Sequence, residues 1–206
     1  IITNNGQGYY AEKVAQEAYD LVKKHAPNDK LLLAQAHGML AIALDYNGKE
    51  SLAITHAHTA LNLRQEANAS AQLIARSHYE ICRTQAGNAR YQDALHWCQS
   101  AVSKFRELDD KDPRDYFKSL GFLGSTYSYL GMTEESLKTE GEIASLIRQR
   151  YGENSPALAM QMLKMSMSHV EMGRFNQAKE NLAAGLPIIK NLKETSPSQY
   201  AHGLFY

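Results

Sequence analysis

The strongest constraint on this chain is a spacing. Gly6, Gly48, Ala89, Gly131 and Gly173 follow one another at intervals of 41 or 42 residues. Other positions keep step with them. Five residues after each marker stand Ala11, Ala53, Ala94, Ser136 and Ala178, and twelve after stand Ala18, Ala60, Ala101, Ile143 and Gly185. Eight before come Leu40, Ile81, Leu123 and Met165, and seven before come Ala41, Cys82, Gly124 and Ser166. A repeat of this length is one supersecondary unit whose apolar stripe is buried only when neighbouring units stack on it.

The texture inside each unit is helical. The stretches 134–150 and 157–172 space apolar residues by three and four with no internal proline. Asp112-Pro113 and Ser155-Pro156 read as helix starts, because proline is tolerated in the first turn. Short turns around Gly48, Gly131 and Gly173 end one helix and open the next. This predicts A helices over 31–46, 72–87, 114–130 and 156–172, and B helices over 9–25, 50–65, 91–108, 134–150 and 176–192. No alternating run bounded by turn pairs supports a strand.

Two glycines carry the physical reading. Gly124, in the slot of Ala41, Cys82 and Ser166, is predicted to let helix A approach helix B, with Leu123 filling the neighbouring gap. Gly131 is predicted to leave helix A in a left-handed conformation that a Cβ would penalise.

Composition excludes several classes. The 206 residues are 44% hydrophobic, enough for a packed core. Lys+Arg and Asp+Glu are both 22, so the basic excess of a nucleic-acid binder is missing. No apolar run approaches the roughly 18 residues of a membrane span, and no secretory signal pattern is present. Cys82 and Cys98 do not make a disulfide framework and fit a reducing compartment. The chain opens at Ile1 and stops in Leu204-Phe205-Tyr206, which reads as a piece of a longer protein. Cytoplasm is the expected compartment, with periplasm as the alternative.

Leu123-Gly124, Tyr127, Gly131 and Ser136 resemble the tetratricopeptide repeat signature of Leu-Gly, Tyr, Gly and Ala. Met165, Gly173, Phe175, Ala178 and Leu182 match again, and Tyr91, Ala94 and Ala101 match in part. The usual period is about 34 residues. The longer period here is similar to the long-helix variety of kinesin light chains and many bacterial regulators. Gln85 and His169 depart from Tyr127, and Glu140 departs from Ala57, Cys98 and Leu182.

The resemblance implies an all-α helix-turn-helix solenoid, a right-handed superhelix with about four full repeats. The units would be a half repeat over 1–30, repeats over 31–71, 72–112, 113–155 and 156–196, and the start of a further helix over 197–206, all in one domain. It also implies a concave face lined by the A helices. Carried over by offset, the lining is Gln35, Gly38, Ile42, Asp45 and Tyr46; Arg76, Tyr79 and Arg83; Lys118, Gly121, Ser125, Ser128 and Tyr129; and Met160, Leu163, Met167 and Val170. Arg76, Arg83 and Lys118 read as a basic centre, the tyrosines as aromatic faces, and the fourth set as a Met-rich adaptable surface. The implied function is non-enzymatic: a protein- or peptide-binding module gripping an acidic or C-terminal carboxylate group beside an apolar segment. Two rival readings are a sensory domain of a larger regulator, binding a peptide or small signal, and a homodimerisation element.

Chemistry is sparse. His56 and His58 are two apart, face different directions and read as surface histidines. His78, Cys82 and Cys98 could form a metal or redox site, but the cysteine slots are otherwise small or apolar, so packing is the expected role. The carboxylates of 109–112 read as a helix stop and cap, and Trp97 as packing. The glycines near Gly6 lack the lysine and hydroxyl residue of a phosphate loop. No metal, cofactor or catalytic motif is expected.

Overall fold

The computed structural model describes residues 5–108 and 113–195. Among them, every regular element is an α-helix: α1 (Asn5–His25), α2 (Lys30–Tyr46), α3 (Glu50–Glu66), α4 (Ala71–Gly87), α5 (Tyr91–Arg106), α6 (Pro113–Tyr129), α7 (Thr133–Tyr151), α8 (Pro156–Glu171) and α9 (Phe175–Thr195). The expected A helices are α2, α4, α6 and α8, and the expected B helices are α1, α3, α5, α7 and α9. The cluster at 109–112 and the further helix expected over 197–206 lie outside the described residues. The chain divides into two compact units, Ile1–Phe122 and Leu123–Tyr206, with the division inside α6. In the first, α2 packs on α3, α4 on α5, and α1 on α2. In the second, α8 packs on α9 and α7 on α8.

The turn slot explains the period. Gly48, Ala89, Gly131 and Gly173 all have left-handed φ, at 70, 59, 72 and 69°. Each makes the same pair of bonds. At Gly131 the backbone N–H donates to Ser128 O at 3.0 Å, and the next N–H, of Met132, donates to Tyr127 O at 2.9 Å. This is the Schellman closure of a helix C-terminus. Gly48, Ala89 and Gly173 repeat it through Lys49, Arg90 and Arg174. Of these four, Ala89 alone carries a Cβ; Asn68, with φ 49°, closes the end of α3 by the same pair of bonds. Ala89→Gly is therefore expected to stabilise the chain by about 1 kcal/mol. A denaturant midpoint that does not rise would contradict that.

The starts of the helices differ by type. A helices follow longer links and take side-chain caps: Asp29 accepts from Leu32 N at 2.9 Å, and Ser70 and Ser155 accept from Leu73 N and Leu158 N at 3.4 Å. B helices follow the tight turn with no side-chain cap at Lys49, Arg90 or Met132. In both types the cap residue's carbonyl accepts the first helical bond, as Lys49 O does from Ala53 N and Asp29 O from Leu33 N.

Small residues sit where the helices meet. Ala53, Ala94, Ser136 and Ala178 are all buried, as are Leu40, Ile81 and Leu123. A Cβ on Gly124 would lie 3.5 Å from Thr139 Cγ2, an ordinary contact, so this slot needs a small residue and not glycine in particular. The tight approach is at Gly185, where a Cβ would lie 3.0 Å from the Ala159 carbonyl oxygen.

This packing corrects one expectation and accounts for one departure from the repeat pattern. Cys82 on α4 and Cys98 on α5 form a disulfide, both fully buried, with Cα atoms 4.9 Å apart. The A-helix slot of Cys82 and the B-helix slot of Cys98 are opposed at close approach, within bonding reach of two thiols. They are not free thiols. Glu140, in the slot of Cys98, is buried and accepts from Ser168 Oγ at 3.0 Å, with Lys164 Nζ at 3.5 Å from its other oxygen. A polar partner on α8 compensates the departure from Ala57 and Leu182.

Candidate peptide-binding face

The expected lining separates by its offset from the turn. Of the residues ten before the turn, Gly38, Tyr79 and Leu163 are buried, while Gly121 is half-buried with open space where a Cβ would stand. Leu163 packs with Ala159 and Ile189, and Tyr79 has its ring 6.0 Å from Phe122. These two side chains build the core instead of an open face. In α2, α4 and α8 the position ten before the turn lies on the side that meets neighbouring helices. Gln35, Arg76 and Lys118, thirteen before the turn, are exposed, and Met160 is half-buried. Ile42, Arg83 and Ser125 are half-buried and Met167 is exposed. Tyr46 and Tyr129 are exposed, at 76% and 69%.

In the first unit the expected basic centre is interleaved with carboxylates. Arg83 Nη1 lies 2.9 Å from Asp45 Oδ2, and Asn88 Nδ2 donates to the other Asp45 oxygen at 2.7 Å. That pairing ties α4 to α2, and Arg83 is mostly covered. Arg76 is shared more loosely: its Nε is 3.4 Å from Glu80 Oε1 and 3.7 Å from Asp115 Oδ2, and its side chain is 52% exposed. Glu80 in turn holds Arg64, whose Nη1 lies 3.0 Å from Glu80 Oε2 and donates to Ser77 Oγ at 2.6 Å. Arg64, Glu80 and Asp115 are buried. Offsets along the A helices alone missed these three. The i,i+4 pair Arg76 and Glu80 was the one signal in the sequence.

In the second unit the α8 face offers Met160, Met167 and Val170, while α6 contributes Ser125, Ser128 and Tyr129.

The histidines are not the surface residues expected. His56 is half-buried, with its Nδ1 2.8 Å from His37 Nδ1 and its ring edge-on to Tyr19. His58, two residues on, packs against Trp97 at 5.1 Å. The two do face different directions, but both sides of α3 are covered. His78 and His96 also meet the Trp97 ring, at 5.1 and 5.4 Å. Trp97 itself packs on Ala41, Ala57, Leu61 and Ile81, the packing role expected of it. Burial holds His37, His56 and His58 below the ordinary imidazole range. It pushes His78 from 6.5 to about 4, helped by Lys104 and His96.

A pH dependence follows. An unfolded chain binds protons on these rings near the ordinary histidine value, and the folded chain resists them. Their contribution to stability is fully present above pH about 6.5 and is lost progressively as pH falls toward about 4. The denaturant midpoint is expected to drop through that window, read by the fluorescence of Trp97, the single tryptophan. A midpoint that stays level on acidification would contradict the buried, neutral state of His78.

Among the described residues, no group of three or more His, Cys, Asp or Glu is placed to hold a metal ion, and no helix is long and apolar enough to cross a membrane. No family model matches the chain, and no curated protein matches it. Solved structures do. A Podosopora anserina protein assigned as a kinesin light chain, with nearly identical TPR-like repeats, superposes with a TM-score of 0.77 at 16% identity, covering 92% of this chain and 90% of that one. BtubC (BKLC) from P. vanneervenii gives 0.76 at 18% identity, covering 91% and 75%. A Rap protein complexed with competence and sporulation factor gives 0.65 at 15% identity, covering 91% and 60%. With its paired helices, left-handed turn slot and small-residue seams, the chain has the TPR-like helical repeat fold, similar to that of kinesin-light-chain-like repeat proteins.

Proposed function

We propose that this chain is a protein-interaction scaffold that binds a peptide segment bearing a carboxylate on the A-helix face of its first unit. The carrying observation is the contrast between the two arginines. Arg83 is committed to Asp45 and Asn88, whereas Arg76 is half-exposed and held at long range by two carboxylates. Arg76 can therefore turn to a ligand carboxylate without breaking a close bond, with Lys118, Gln35 and Tyr46 exposed on the same set of helices. The Rap structure, solved with its factor, supports a binding role for this fold.

The buried Cys82–Cys98 disulfide favours an oxidising compartment over the cytoplasm. Panning a library of peptides displayed with free C-termini on the purified chain tests the binding reading. Enrichment of acidic or C-terminal carboxylate sequences is expected. Recovery of no sequences, or of basic ones, would overturn it.

A further inference from the structure

The period singles out one pair of slots: eleven residues before the turn residue on helix A, and eight after it on helix B. They hold His37 and His56, His78 and Trp97, Leu120 and Thr139, and Met162 and Asn181. On α4 and α5 the two side chains meet, with ring centroids 5.1 Å apart. On α2 and α3 they meet again. The ring centroids are 4.9 Å apart, and His37 Nδ1 lies 2.8 Å from His56 Nδ1. This repeat alone has imidazoles in both slots.

The surroundings suit a pair of ligands. Both imidazoles are half-buried, so solvent still reaches them. The Tyr19 ring of α1 stands edge-on to both, with centroids 4.8 and 6.0 Å away. Burial keeps both rings unprotonated at neutral pH, so their lone pairs are open to a cation. Lys23 on α1 adds to that effect on His37. By the same charge it holds the affinity for a cation below that of a neutral setting.

The separation of the two nitrogens points to a class of metal. Imidazole nitrogens bind a metal at about 2.0 Å, so two of them lie about 2.8 Å apart at a right angle and about 3.3 Å apart at a tetrahedral one. The observed 2.8 Å matches the right angle of a tetragonal site. That is the geometry of Cu2+, which also heads the affinity order of the divalent ions. Among the described residues, no third His, Cys, Asp or Glu joins the pair in a ligand group. We propose that His37 and His56 form a two-imidazole site for Cu2+, with their Nδ1 atoms cis to each other and water in the remaining positions. Without metal, one Nδ1 donates its hydrogen to the other. On binding, that hydrogen moves through solvent to Nε2 of the same ring, and no net proton is released. The bound ion cross-links α2 to α3 within one repeat.

Titration of the whole chain with Cu2+, followed by calorimetry and by electron paramagnetic resonance, tests this. A single saturable site is expected, with hyperfine coupling to both imidazole nitrogens. His56→Gln and His37→Asn are each expected to weaken it about a hundredfold, because the second nitrogen binds as an intramolecular step. Far-UV circular dichroism is expected to stay unchanged in both. His96→Ala, at an exposed histidine outside the pair, is expected to leave the site as it is. If a pair variant unfolds, the resonance of the wild-type chain decides alone. No saturable site, coupling to a single nitrogen in the wild-type chain, or binding that survives His56→Gln or falls with His96→Ala would each overturn the inference. The two rings would then be a hydrogen-bonded pair and nothing more.

Discussion

Replacing Glu80 with alanine is expected to destabilise the chain by about 3–5 kcal/mol, the cost of leaving a buried charge without its partner. Arg64 is 7% exposed, and its guanidinium reaches Glu80 at 3.0 Å and the Ser77 hydroxyl at 2.6 Å. Without Glu80, a hydroxyl is left to face a full positive charge in a nearly dry seam. Arg64→Ala is expected to cost less, because Glu80 keeps a contact with Arg76 at 3.4 Å. Replacing both, as Arg64→Met with Glu80→Leu, removes the two desolvation costs together and is expected to recover most of the loss. Gly38 borders the pair: a Cβ there would lie 3.6 Å from Glu80 and 3.7 Å from Arg64. Gly38→Ala therefore fits, and larger side chains would push the pair apart. Urea denaturation of the four variants checks the series. An Glu80→Ala chain as stable as the wild type would show that Arg64 is not held in the way described.

The second large effect concerns the disulfide. Cys82 and Cys98 are 16 residues apart in sequence. Cross-linking a loop of that size restricts the unfolded chain and stabilises the fold by about 3 kcal/mol in the chain-entropy account. Cys82→Ala with Cys98→Ala is expected to lose an amount of that order, read as a lower denaturant midpoint. Because both sulfurs are buried, reductant is expected to act on the native chain only slowly, and quickly once it is unfolded. Two thiols titrating at once in the native protein, purified without reductant, would contradict the bridge.

Much of the fold was legible because the period reports which side chains meet between helices. Gly48, Ala89, Gly131 and Gly173 mark the same turn, and the helix ends read from them fall within a few residues of those observed. Ala89 was readable as a turn residue despite its Cβ because its neighbours kept step. The bridge was not read, although both of its slots were. Slot arithmetic showed Cys82 and Cys98 as packing residues, and only the opposition of the two slots in space shows that the thiols meet. The charge pattern of the face was hidden for a different reason. Arg64 and Glu80, or Asp45 and Arg83, lie 16 and 38 residues apart, and their long side chains find each other across helices in a way that no offset along one helix records. Tyr79 and Leu163 show the same limit: an offset carried from a shorter repeat type placed them on an open face that these longer helices turn inward.

The central functional claim is that Arg76 is the recruitable cation and Arg83 the structural one. Binding of a panned carboxylate peptide, followed by fluorescence anisotropy beside a urea titration, tests it directly. The account predicts that Arg76→Ala weakens binding at least tenfold, about 1.4 kcal/mol, and lowers the unfolding midpoint less than Arg83→Ala does. Binding that survives Arg76→Ala intact, or a midpoint that falls with Arg76 and not with Arg83, would contradict it.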